Sequence, residues 1–182
     1  NDLANGVTED EIRTDAKAII DYFYANDIDV KIISGDDLAS VASITSRIGL
    51  KNLSGVDLTT IKNPNYAKLV RENTLFARAT PSQKKSLILA LKKQGRTVAM
   101  TGDGVNDVLA MKDADCGIAM ASGAQAASQV ARLVLLDNDF AALPSIVGEG
   151  RRVINNIQRS AALFLVKNIF SFFITLHNNR TL

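Results

Sequence analysis

The chain has 182 residues, 47% of them hydrophobic, and a formal net charge of +2 at pH 7. That balance excludes a disordered polyelectrolyte and argues against a nucleic-acid partner, while the length suffices for one good core or two small lobes. The single cysteine, Cys116, has no intrachain disulfide partner and fits a reducing, cytoplasmic compartment, where it reads as a small buried hydrophobe.

The opening residues, with Asn1, Asp2, Asn5, Thr8 and Glu9, are too polar for a cleavable signal peptide. Apolar spacing then predicts a helix over 9–25, with Ile12, Ala16, Ile19, Ile20 and Phe23 on one face. A strand over 29–36 follows and ends in Ser34, Gly35 and Asp36; a helix over 37–48 stops at Gly49. The polar stretch 51–73 is expected to carry one short helix interrupted by Pro64, and 74–79 a short strand. Pro81 sits in the first turn of a helix over 81–94 that ends at Gly95. Next come a strand over 97–103, a helix over 105–112, a strand over 115–120, a helix over 123–131, a strand over 133–136 and one long helix from Phe140 onward. The alternation predicts an α/β fold with a doubly wound, mainly parallel sheet, because parallel strands need crossovers and these are usually helices.

The run from Thr97 to Asp107, TVAMTGDGVND, delivers two carboxylates, an amide and two glycines into one turn at the carboxyl end of a strand, where open α/β sheets bind ligands. Mg²⁺ takes one or two carboxylates and fills its shell with water and phosphate, so Asp103 and Asp107 are its candidate holders. The plainer alternative is a strand-to-helix turn in which Asp103 or Asn106 caps the next helix. At the earlier strand end, Ser34 offers a hydroxyl to a phosphate oxygen, Gly35 lets backbone amides approach and Asp36 adds a carboxylate; a capped turn would use the same residues. Lys84, near the start of its helix, is a mobile point charge able to neutralise a phosphoryl group, or a solvated surface charge. Their conjunction favours a phosphoryl site.

Taken together, Ser34-Gly-Asp36, the segment from Phe76 to Lys84 (FARATPSQK), Met100 to Asp107 (MTGDGVND), Gly117-Ile-Ala-Met120 and Glu149 to Ile157 (EGRRVINNI) resemble the phosphorylation domain of P-type cation-transporting ATPases, which is built on the haloacid-dehalogenase-like fold. The match runs from about residue 11 to residue 176 and is specific in order and spacing. It implies that Ser34 takes the phosphate-binding place usually held by Thr, that Gly35 and Asp36 complete that motif, that Lys84 contacts the phosphoryl group, that Asp103 ligates Mg²⁺, and that Asn106 and Asp107 support the metal. It implies ATP as the substrate of the parent pump. Asn168 falls where calcium pumps of the family carry a cation-coordinating Asn, while Ser171, one turn later on the same face, replaces a Glu. The resemblance favours pumps of the calcium or magnesium type.

The family's phosphate acceptor lies in an Asp-Lys-Thr-Gly-Thr motif, and no such motif occurs in these residues. The chain therefore holds no nucleophile; the sheet is expected to be incomplete, and this chain alone is not expected to turn over ATP. Its partners would be the missing portion of the same pump (acceptor strand, nucleotide and actuator domains), the lipid bilayer, and another copy of the chain on its open sheet edges. The expected organisation is 1–140 as the phosphorylation domain, 141–159 as a stalk helix, 160–176 as the start of a transmembrane helix, slightly short of a full span, and 177–182 as a polar tail. A buried core helix is the alternative for 160–176. The implied parent is a multi-pass cell-membrane protein, cytoplasmic in this portion up to about Arg159. Two other classes remain at this level: a soluble phosphatase of the same fold, and a non-catalytic binding domain.

Overall fold

A computed structural model of the chain describes the backbone of residues 9–136 and 140–178, and side chains between residues 16 and 172 within those bounds. Residues 1–8, the side chain of Ile12 on the first apolar face, and the tail beyond 178 lie outside the described parts. In chain order the elements are α1 (Glu9–Ala25), β1 (Ile32–Ile33), α2 (Leu38–Arg47), β2 (Gly55–Asp57), α3 (Tyr66–Glu72), β3 (Leu75–Ala77), α4 (Pro81–Lys93), β4 (Ala99–Gly102), α5 (Val108–Asp113), β5 (Cys116–Met120), α6 (Gln125–Val130), β6 (Leu133–Leu135) and α7 (Ala142–Asn178). A single 3₁₀ turn, Val105–Asp107, joins β4 to α5.

The strands form two three-stranded parallel sheets, ordered β1-β3-β2 and β4-β5-β6, in place of one continuous sheet. Ile33 and Val56 both stand in register with Phe76, and Met100 with Gly117. The sheets lie side by side: Asp29 and Arg96, just ahead of β1 and β4, pair at 3.6 Å, and Ile33 packs against the cluster that holds Val98 and Met100. Strands β1 and β4 each pair on one side only, so the inner edges of both sheets are open among the described residues. The expected incompleteness is thus visible as a break between β1 and β4.

Helix α4 knits the halves together. Leu87 and Ala90 pack into the cluster over β3 with Phe76, while Ile88 enters the cluster of the second sheet with Met100 and Met111; Leu91 touches both. Leu75, Phe76 and Leu87 are wholly enclosed, each contributing about 2 kcal/mol of apolar burial. The helix is fixed at its start by a capping box, Thr80 with Gln83, followed by Pro81. The chain divides into two compact units, the first ending at Ala142 and the second running from Leu143. In the second, Leu163, Phe164, Leu165, Val166, Ile169, Phe170 and Phe172 are all exposed. No described helix is long and apolar enough to cross a membrane.

Candidate active site

The first strand end is stitched to the segment between β3 and α4. The Ser34 N–H donates to the Phe76 carbonyl at 2.8 Å, and the Ser34 carbonyl accepts from the Ala79 N–H at 2.9 Å. Within the turn, the Ser34 hydroxyl donates to Asp36 Oδ2 at 2.9 Å and accepts from the Asp36 N–H at 3.1 Å. Around Gly35 there is open space: no atom lies within 4 Å of where a Cβ would stand. The turn is therefore formed, exposed and able to admit a ligand against its backbone.

Two neighbours of this turn carried no assigned role in the sequence reading. Arg78 adopts a left-handed backbone, φ 51°, and its N–H donates to the Asp36 carbonyl at 2.9 Å. Its Nε lies 3.6 Å from Asp57 Oδ2. Hydrogen bonds from Thr59, side chain then backbone, hold the Asp57 carboxyl below the ordinary carboxylate range, with Arg78 adding to the effect. The FARA segment stands out as a motif, yet nothing in its residue types announces a left-handed arginine at a sheet rim.

Lys84 stands one turn into α4, and its surroundings differ from the mobile or solvated charge expected. It is buried, and Nζ donates to Asp107 Oδ1 at 2.7 Å. Because Thr80 caps the same helix start and Ala79 bonds Ser34, the contacts run without a break from Ser34 through α4 to Asp107. The β4 loop is thereby joined to the β1 loop.

At the end of β4, the glycines matter through proximity. A Cβ on Gly102 would stand 2.5 Å from Asp107 Cβ and 2.8 Å from its Oδ2, so the carboxylate lies against bare backbone. Asp107 is consequently buried within the turn. Asp103, by contrast, is exposed; its carbonyl accepts from the Ala124 N–H at 2.6 Å, and no side-chain partner of its carboxylate is found among the described residues. Asn106 is exposed on the 3₁₀ turn, and neither Asp103 nor Asn106 caps a helix: the Gly104 and Asp107 cap positions make no side-chain cap bond.

The chemistry of these side chains is compatible with Mg²⁺. The Asp103 carboxylate is open, Asp107 Oδ1 is committed to Lys84, and no three His, Cys, Asp or Glu among the described residues group into an all-protein cage. An ion held by one or two carboxylates with water and phosphate making up the rest is the arrangement magnesium favours. Asn168 and Ser171 sit three residues apart on α7, both exposed, in the second unit.

The parallel α/β scaffold is in keeping with its family: the chain belongs to the haloacid dehalogenase-like hydrolases, whose family it matches over residues 2–115. Among curated proteins it is 48% identical over 172 residues to the calcium-transporting ATPase CtpE of Mycobacterium bovis, covering 93% of this chain and 22% of that protein. It is 36% identical over 155 residues to the human (Homo sapiens) calcium-transporting ATPase type 2C member 1, covering 82% of this chain and 17% of that one. Among solved structures, a zinc-transporting PIB-type ATPase in the E2.Pi state is similar with a TM-score of 0.63 and 26% identity, over 86% of this chain and 21% of that one. The chain thus spans 22% or less of the length of these relatives.

Proposed function

We propose that this chain is the magnesium-holding and phosphoryl-stabilising half of the catalytic site of a cation-transporting P-type ATPase, a pump in which ATP phosphorylates an aspartate and loss of that phosphate is coupled to movement of a cation. The observation that carries the reading is the Lys84–Asp107 pair at 2.7 Å, which ties α4, whose leading segment bonds the Ser34 turn, to the loop after β4. The names of the curated relatives support a cargo of the calcium class.

In the forward step the acceptor carboxylate, supplied by another part of the pump, attacks the γ-phosphorus of ATP and ADP leaves; in the second step water displaces the aspartate. The amides around Gly35 direct their N–H groups at the phosphoryl oxygens, and the Ser34 hydroxyl turns its one hydrogen from Asp36 to a phosphoryl oxygen when the group binds. The Asp36 N–H keeps its bond to the Ser34 oxygen as that hydrogen turns. Lys84, shared with Asp107, offsets the charge gathered on the transferring group. A magnesium ion held by Asp103, with Asp107 and Asn106 behind it, would supply further electrostatic stabilisation. The open edges of β1 and β4 support the view that an acceptor-bearing strand completes the sheet between them.

Residues 1–140 then serve as the phosphorylation domain, 141–159 as a stalk and 160–176 as the entry of a membrane helix into lipid, with 177–182 as its polar tail and Asn168 and Ser171 on the cation path. The exposed apolar side chains from Leu163 to Phe172 support this assignment. In a protein extended to carry the acceptor aspartate, Asp103→Asn is expected to abolish most Mg²⁺-dependent phosphoenzyme, and Lys84→Ala to weaken it. Normal labelling of the Asp103 variant from radioactive ATP would refute the metal assignment.

A further inference from the structure

We infer that Gly123, in the loop from β5 to α6, is a positioning residue that sets the height at which Asp103 presents its carboxylate; this rests on the reading of Asp103 as the magnesium holder. The two residues are twenty apart in sequence, and the fold brings them together. A Cβ on Gly123 would stand 2.8 Å from the Asp103 carbonyl oxygen, 3.0 Å from the Asp103 Cα and 3.1 Å from the Met120 carbonyl oxygen. All three are backbone atoms. A flexible side chain could swing away from an added methyl, whereas here the end of β4 or the whole loop has to shift.

The loop is also bonded to what it touches. Gly102 is in register with Ala119, so β5 runs beside β4 up to the turn, and the chain leaving Met120 closes back over Asp103. The Gly123 N–H donates to the Met120 carbonyl at 3.0 Å, and the next amide, that of Ala124, donates to the Asp103 carbonyl at 2.6 Å. Asp103 is therefore gripped at its carbonyl while its carboxylate stays open. Among the described glycines only Gly49 and Gly95 have left-handed φ, so the demand at Gly123 comes from close approach and an alanine there tests that approach alone. Residues that orient a metal ligand from behind typically change metal affinity by about 10- to 100-fold.

The test uses this chain, labelled with ¹⁵N, and titrates it with Mn²⁺ as a paramagnetic stand-in for Mg²⁺, following line broadening at the Asp103 and Gly104 amides. Gly123→Ala is expected to need about tenfold more Mn²⁺ for the same broadening, with signals from β1, β2 and β3 unmoved. Ala124→Pro is the second variant: its φ of −60° suits proline, and the change replaces the N–H that holds the Asp103 carbonyl, 2.6 Å from the nitrogen, with a ring carbon that pushes that carbonyl away. It is expected to act in the same direction. Loss of broadening in Asp103→Asn, together with wild-type Mn²⁺ response in either folded loop variant, overturns the positioning role and leaves the metal reading standing. Unchanged broadening in Asp103→Asn overturns the metal reading, and this inference with it. Failure of both loop variants to fold also overturns it, because the contact would then serve the fold and not the metal.

Discussion

With both side chains about nine-tenths enclosed, Lys84 and Asp107 have given up most of their hydration, and their 2.7 Å contact must offset that loss. Removing one partner leaves the other buried and unpaired. Lys84→Met is accordingly expected to destabilise the chain by about 3 kcal/mol in urea unfolding, and adding Asp107→Asn to recover part of that loss. A second prediction concerns acid. The Val98 N–H, then Lys92, hold the Asp115 carboxyl below its ordinary value of 3.8. A carboxyl lowered in the folded state stabilises the fold above its unfolded pKa, and that contribution is lost as pH falls through the folded one. Thermal melts from neutrality down through the carboxylate range should therefore show a shallower acid loss in Asp115→Asn than in the parent chain. At this scale the sequence made the chemical types legible: Ser34 and Asp36 stand at the end of β1, Asp103 and Asp107 at the end of β4, and Lys84 on α4 meets Asp107. It did not disclose that Lys84 is buried, because burial depends on what the second sheet brings against α4.

At the scale of elements, most helices and strands stand within a few residues of where apolar spacing and capping residues put them. Thr80, Pro81 and Gln83 announced the start of α4 from local chemistry alone, and Thr80→Ala is expected to cost about 1 kcal/mol by removing that cap. The exception is β2. Gly55–Asp57 lies inside a polar stretch read as holding only a short helix, and a strand of three residues bounded by polar neighbours carries too little periodicity to detect. It exists because its partner β3 is wholly buried and offers it an edge. The turn after β4 shows the same dependence. Gly102→Ala should cost about 2 kcal/mol, since the new methyl would stand 2.5 Å from Asp107 Cβ, and it should disrupt the Lys84 pair as well. Chemical denaturation checks the first effect, and the lysine Nζ signal in NMR the second.

For the whole molecule, the two units place different demands on solvent. The second exposes a run of large apolar side chains on α7, an apolar surface of a kind that monomeric proteins in water rarely leave uncovered. Truncation after Arg159 is expected to raise solubility and remove concentration-dependent association in sedimentation velocity. Association that persists unchanged after truncation would point instead to the open edges of β1 and β4. The relatives named above are transport ATPases, which does not favour the soluble-phosphatase alternative.

The sequence by itself determined the alternation of helix and strand, the parallel α/β class, the residue types at two strand ends and one helix start, and the absence of an Asp-Lys-Thr-Gly-Thr acceptor, because each of these is written in spacing, capping chemistry or composition. Only tertiary structure decided the break between β1 and β4, the burial of Lys84 against Asp107, the left-handed Arg78 and the grip of the β5–α6 loop on Asp103. Each of those depends on backbone and side chains distant along the chain arriving at one place, and a one-dimensional pattern carries no record of the distance between them.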